Sequence, residues 1–423
     1  MKRSLSSSSN EEWTTSRSDE EAQTEKSAAI SAALYRIQTL ANDPTVGADN
    51  DHYPFHRACD DLNKLQPDVA TMEIAYQMLA EKHDFWLLLA SHCIADALND
   101  DSEITGFLVQ HGLDANIYVD NGRTILTHAA AHSSISLVSA LLDNGARVNT
   151  ADRNGDYPIH CAAKHTGPDV LKLLLSKGAD AHVQDSKGAT PIAYATTEEK
   201  YQLLKDAGAD INATDADGNT ALHYLAKRGY GPSVAFMIKL GARVNIRNNH
   251  YETALHCVIG GCNFNKKNMY ALLDAGVEIE AQNDENETAL HLTAVESNDI
   301  ATNALCQNNA NVLAQDKNGN TPLHLAAMRG AVKVMQRLIG AKSNLNAKNK
   351  KGMIPLHMAA AGVHPSACQL LIEEGSNVYA KNNAGETPLE CCKREQPFCY
   401  GFRPNDKREC VKLLQEAMEK QKC

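Results

Sequence analysis

The stretch DKNGNTPLHLAAMRGAVKVMQRLIG, residues Asp316–Gly340, decides the fold. Its Asn318-Gly319 pair favours a tight turn. Thr321 stands where a helix begins, with a hydroxyl placed to accept from an orphan backbone N–H. Pro322 suits the first helical turn because it has no N–H to leave unpaired. Leu323 then points into a core, and a second aliphatic helix follows. Working outward, the Thr-Pro-Leu-His slot recurs in strong or weakened form from Tyr53, Thr124, Tyr157, Thr190, Thr220, Thr253, Thr288, Thr321, Ile354 and Thr387. From Thr124 the steps are 33, 33, 30, 33, 35, 33, 33 and 33 residues. A fixed period of that length marks stacked supersecondary units that bury their apolar faces on one another. Gly145-Ala146, Gly178-Ala179, Gly208-Ala209 and Gly241-Ala242, with Gly276-Val277 in a longer unit, close the second helix where left-handed geometry is needed.

The 71-residue step from Tyr53 to Thr124 is two periods plus five, so a degenerate unit lies between. FWLLLASHCIADAL (85–98) reads as its first helix and ITGFLVQHGLDAN (104–116) as its second with its exit. About eleven units result, the last a cap.

DKNGNTPLHLAAMRG and DADGNTALHYLAKRG (215–229) resemble the ankyrin-repeat consensus. The resemblance runs from about residue 50 to the end of the sequence and implies an all-α repeat solenoid, an ankyrin-repeat array. Each unit of about 33 residues would hold a β-hairpin or turn and two antiparallel helices. The expected organisation is a disordered Ser/Glu-rich tail at 1–27 and an N-terminal helix and linker at 28–48. Two degenerate ankyrin-like repeats at 49–118, eight ankyrin repeats at 119–381 and a C-terminal capping repeat with an insertion at 382–423 follow.

Composition narrows the function. The formal charge of −11 argues against nucleic acid, whose phosphates need a basic face, and against docking on an anionic membrane. No run of about 18 apolar residues exists to span a bilayer. MKRSLSSSSNEEW lacks the apolar core of a secretory signal, and the terminal Lys-Gln-Lys-Cys is not a prenylation signal. The twelve cysteines are therefore expected in a reducing, cytoplasmic setting.

Nine of the seventeen histidines invite metal or catalytic readings. His56, His160, His223, His256, His291, His324 and His357 occupy the fourth motif slot; His128 falls one residue later and His165 in an inter-helix turn. One per unit places them roughly 10 Å apart, too far for shared coordination at about 2 Å. The family resemblance implies that this His ties neighbouring units together by hydrogen bonds. Thr127, Ala193 and Glu390 replace it, which predicts weaker joints there. Cys161 and Cys257 follow the motif His, where a small buried residue fits. Cys391, Cys392, Cys399, Cys410 and Cys423 have poor spacing for zinc. No G-x-S-x-G, H-E-x-x-H, P-loop or dinucleotide fingerprint occurs, so no catalytic residue, cofactor or metal is expected.

Departures from the period carry what is particular to this chain. The Thr190 unit is three residues short, and the Thr253 unit is two longer through GGCNFNKKNMY. Tyr251 and Asn286 replace the glycine of the turn, and Tyr strongly disfavours left-handed backbone. These features predict a local distortion over residues 190–290. The insertion REQPFCYGFRPNDKRE (394–409) contains an aromatic cluster at 398–402, expected to pack back on the cap.

In ankyrin arrays the partner meets the turn tips and the first-helix face lining the concave side. Carried to this sequence, the tips are Arg153, Asn154, Lys187, Asp217, His250, Asp284, Glu285, Lys317, Lys350 and Lys351. The helix positions are Lys164, His165, Lys227, Arg228, Glu296, Met328 and Arg329. This face is more basic than the chain as a whole, which favours an acidic, extended segment of a protein partner. The expected function is protein–protein interaction by a monomeric cytosolic adaptor or scaffold. Two alternatives stand beside it: an effector that an intracellular bacterium directs into host cytosol, and an enzyme or regulator with a site in residues 28–118. LKDAGADIN (204–212) also resembles the ankyrin site used by asparaginyl hydroxylases.

Overall fold

The computed structural model describes residues 11–42, 53–65, 67–79, 102–119, 122–132, 135–165, 167–229, 234–394 and 404–420. Two compact bodies divide the chain between Ser186 and Lys187. Each is a run of helix pairs. In the first, Ile125–His132 pairs with Ile135–Asp143, and Pro158–His165 with Pro168–Ser176. In the second, the pair Pro322–Arg329 and Val332–Gly340 typifies the run, which ends with Pro388–Lys393 against Pro404–Lys420. First helices stack on the first helices of adjacent units, as Ala221–Arg228 does on Ala254–Gly260.

Short helices of this kind are marginal alone in water and depend on tertiary burial. The third slot of the motif supplies it: Leu126, Ile159, Ile192, Leu222, Leu255, Leu290, Leu323 and Leu356 are all fully buried. Each contributes about 1.5–3 kcal/mol relative to exposure.

The tips are turns held by a side chain, and no strand forms among the described residues; Tyr118 and Thr124 make an isolated bridge. Asp215 Oδ1 accepts from the backbone N–H groups of Asp217 (3.0 Å) and Asn219 (2.7 Å). Asn248 repeats this with His250 and Glu252 (3.0 and 2.9 Å). Successive tips are joined through the main chain: Asn249 N–H donates to Asp217 O (2.8 Å), Asp284 to His250 O (2.9 Å) and Lys317 to Glu285 O (2.9 Å).

The N-terminal segment departs from expectation. One helix, Glu11–Asn42, runs through the predicted tail and across its boundary at residue 27. EEAQTEKSAAISAAL (20–34) is made mostly of strong helix formers, so local propensity suffices where hydrophobicity is low. Its later turns bury Leu34, Ile37 and Ala41 and pack on the helix Tyr53–Asn63. Helix Ser102–Gln110 confirms the second helix of the degenerate unit, closed by Leu113 N–H on Leu108 O (3.0 Å). Its proposed first helix (85–98) and the 398–402 cluster lie outside the described residues.

The predicted distortion over 190–290 takes two forms, a truncated first helix in the short unit and a lengthened inter-helix segment in the long one. The short unit keeps only Pro191–Tyr194 of its first helix, and Thr197 at once caps the next by accepting from Lys200 N–H (3.3 Å). That second helix buries Lys200 and Tyr201 completely. In the long unit the added residues precede helix Lys266–Asp274, and Asn265 donates back to Gly229 O of the preceding unit (2.9 Å).

The turn at Tyr251 is undistorted, contrary to expectation. Tyr251 takes φ 59° and donates to Asn248 O (2.8 Å), as Gly218 does to Asp215 O and Gly319 to Asp316 O. The Asn248 side chain and the tip-to-tip bonds hold the turn closed, so the residue yields and the turn does not. Left-handed backbone costs a β-carbon-bearing residue about 1–2 kcal/mol, and this Tyr is exposed. Tyr251→Gly is therefore expected to stabilise the protein by about 1 kcal/mol in urea unfolding. No gain would mean that the side chain makes contacts that offset the strain.

Candidate partner-binding face

The motif His defines the register of the first-helix face. At Thr220, Thr253, Thr288 and Thr321 the backbone N–H donates to Nδ1 of the His three residues on, at 3.1–3.2 Å. The Thr hydroxyl reaches the same nitrogen at 2.8–3.0 Å. Nδ1 is thus an acceptor without a proton, the hydroxyl donates to it, and Nε2 carries the ring hydrogen. At Thr124 and Thr387 the hydroxyl accepts from the backbone N–H three residues on (3.1 and 3.4 Å), as expected, and beside a motif His it also donates to the ring.

Nε2–H then donates across the joint to a carbonyl of the next unit. His223 meets Glu252 O at 3.1 Å, His256 meets Glu287 O at 3.3 Å, and His291 meets Asn320 O at 3.1 Å. His324 meets Met353 O and His357 meets Glu386 O, both at 3.0 Å. Burial lowers the pKa of all five, against a smaller raising effect from the carbonyl each ring donates to. These rings are consumed by stacking. Where the His is replaced, the bonds stay inside the unit: Thr127 pairs with Thr124 Oγ1 (2.9 Å), and Glu390 accepts from Thr387 N–H (2.6 Å).

Among the described cysteines Cys59, Cys161, Cys368, Cys391, Cys392 and Cys410 are buried; Cys262 is exposed, and Cys257 is only half-buried, against the expectation that it fills a buried position. Cys368 of helix Pro365–Glu373 in the preceding unit meets Cys392 and Cys410 of the two cap helices, with Cys410 hydrogen-bonded to both others. Hydrogen bonding to Cys410, with burial, holds the Cys392 thiol far from ionisation; the bond to Cys368 pushes Cys410 up to about 12. Tyr379 Oη donates to Met418 O and fixes the last helix. Among the described residues, no group of three or more His, Cys, Asp or Glu converges as a metal site.

The expected contact residues all reach solvent. Arg153, Lys164 and His165 lie in the first body, and Arg153 covers the Tyr118 ring at 5.0 Å. In the second body Lys187, Asp217, Lys227, His250, Asp284, Glu285, Glu296, Lys317, Met328, Arg329, Lys350 and Lys351 are exposed. Arg228 is half-buried over the Tyr224 ring at 5.9 Å.

The structure adds a charge pattern. His250 hydrogen-bonds Asp284 at 3.1 Å and Lys317 pairs with Glu285 at 3.4 Å, so two of the three acidic tips have a basic partner one unit away; Asp217 forms no salt bridge among the described residues. The hydrogen bond to Asp284, then its charge, raises the His250 pKa. Lys227, Arg329, Lys350 and Lys351 form no salt bridge among the described residues. The uncompensated charge of this face is positive.

A cavity of about 130 Å³ lies on the same face, between helices Ala221–Arg228 and Ala254–Gly260. Tyr224 and Lys227 line it from one unit, Cys257 and Gly260 from the next. It escaped the sequence reading, although Gly260 stands seven residues after its Thr, where the Thr288 and Thr321 units carry Val295 and Met328.

A family model described as ankyrin repeats (3 copies) matches residues 91–185, 192–283, 259–349 and 324–422. E3 ubiquitin-protein ligase KEG of Arabidopsis thaliana is 37% identical over 98 residues, covering 23% of this chain and 6% of that protein. The transient receptor potential cation channel subfamily A member 1 homolog of Caenorhabditis elegans is 34% identical over 103 residues, covering 24% of this chain and 8% of that protein. The chain thus spans less than a tenth of the length of either relative. No described helix is long and apolar enough to cross a membrane.

Proposed function

Because this chain belongs to the ankyrin-repeat family, we propose that it is an adaptor or scaffold that binds an acidic, extended segment of another protein along its tips and first-helix face. The carrying observation is electrostatic: the acidic tips Asp284 and Glu285 are paired internally, while Lys227, Arg329, Lys350 and Lys351 are left to meet a partner. Complementary charge steers encounter and fixes register. The relatives accord with the same reading, since the matched segment makes up less than a tenth of a protein named as a ligase and of one named as a channel. A cytosolic setting accords with the buried free thiols Cys161, Cys368, Cys392 and Cys410.

Affinity capture with the full chain, compared with Lys227→Glu/Arg228→Glu, tests this. The variant is expected to lose a salt-sensitive partner by about tenfold or more while its circular dichroism is unchanged. Equal capture by both chains would remove the face from the binding site.

A further inference from the structure

On the reading that the array binds a protein segment, we infer that the cavity at Gly260 receives one medium-sized aliphatic side chain of that segment, with Lys227 meeting a carboxylate beside it. The cavity exists because two equivalent positions of one unit are small. Four residues after the Thr slot, the following units carry Leu292, Leu325 and Met358; this unit carries Cys257. Seven residues after it they carry Val295, Met328 and Ala361; this unit carries Gly260. The missing volume faces Tyr224 and Lys227 of the unit before.

The fold does not demand this glycine. Gly260 has no positive φ, and a β-carbon there would meet nothing within 4 Å. Its neighbour Gly261 differs, since a β-carbon there would lie 2.5 Å from Lys227 O. Packing dictates Gly261. Gly260 sits in a helix, where glycine is less stable than alanine by about 0.5–1 kcal/mol. What the glycine provides is the open space.

Size selects the occupant. Small-molecule pockets run from about 300 to 1,000 Å³, far above the 130 Å³ found here. A cavity of about 150 Å³ holds a benzene molecule, so a four-carbon side chain fits and a drug-sized ligand does not. The walls are set beforehand: Tyr224 Oη donates to Asp215 Oδ2 (2.6 Å), and Glu252 Oε2 accepts from Asn248 Nδ2 (3.0 Å). A preformed pocket loses little entropy on binding. Lys227 is exposed and forms no salt bridge among the described residues, so its ammonium favours an acidic neighbour to the inserted side chain.

The test uses the full chain and two fluorescein-labelled heptapeptides, Glu-Asp-Glu-X-Asp-Glu-Asp, with X either Leu or Ala. The Leu peptide is expected to bind at least tenfold tighter. Gly260→Met, which installs the side chain of Met328 at the equivalent position, should abolish that preference while its thermal midpoint stays equal or rises. Lys227→Glu should weaken both peptides alike. Equal affinity for the two peptides, binding of neither, or a Leu preference that survives Gly260→Met would overturn the pocket. If the pocket fails but captured partners are still lost on Lys227→Glu/Arg228→Glu, the binding function stands; if that variant also loses nothing, both readings fall.

Discussion

Moving the protein from pH 7 to pH 5 is expected to lower its folding stability steeply, in a window set by His223, His256, His291, His324 and His357. Burial depresses the folded pKa of each, so the unfolded chain takes up a proton near its ordinary value, about 6.5, before the folded chain does. Stability is therefore fully present above that pH and is lost as pH falls towards the depressed folded values. Each such ring contributes a slope of at most about 1.4 kcal/mol per pH unit, so five give a ceiling of about 7 kcal/mol per unit. Geometry agrees in sign, because a proton on Nδ1 would abolish its acceptance from the Thr N–H and hydroxyl in four units and from the Ile354 N–H at His357. His250 runs the other way: its raised folded pKa gives stability that is present at low pH and fades as pH rises. Asp68, Asp143 and Glu390, held low chiefly by hydrogen bonds, act like the five rings in sign but only in the carboxylate range. Urea midpoints followed at 222 nm from pH 8 to pH 5 measure this. A flat profile between pH 7 and pH 5 would show that the five rings do not stay neutral in the fold.

His291→Ala should cost about 3 kcal/mol or more. The ring is fully buried; its removal orphans the Thr288 N–H and hydroxyl on one side and cuts the cross-joint bond to Asn320 O on the other, which keeps only the Asp316 N–H (2.9 Å). Leaving a buried polar group without its partner costs about 1–3 kcal/mol each, and the cavity adds to it. The same change at the exposed His250 should cost far less, since its only described partner is the solvent-facing Asp284. A His291→Ala loss below 1 kcal/mol would mean that water replaces the ring and that the joint does not depend on it.

Much of the fold was legible in the chain. The spacing from Thr124 to Thr387 located the described repeats, because each unit touches only its neighbours and so writes the same requirements every period. The role of the motif His was legible only through family resemblance; the direction of the Thr hydroxyl bond was not. Choosing between donor and acceptor needs both the ring orientation and the carbonyl of the next unit. The residues proposed for the binding face were named from the repeat register, and the structure shows that they reach solvent. The pairing of Asp284 and Glu285 with cations one unit away was not, since charges about 30 positions apart meet only after stacking.

The errors share a cause. Composition at 1–27 reads as too polar to fold, yet the helix formers in its later part extend the expected helix at 28–42 back across that boundary. Tyr251 reads as incompatible with its turn when intrinsic preference alone is weighed. Asn248 and the adjacent tips outweigh a strain of about 1–2 kcal/mol.

By itself the sequence determined the repeat, its period, the helix pairs and the buried leucine of each unit, because those depend on short-range pattern. Tertiary structure alone decided where a surface is empty. Gly260 and Cys257 are small wherever they are read, but they become a cavity only when stacking sets them against Tyr224 and Lys227, whose side chains do not fill the gap.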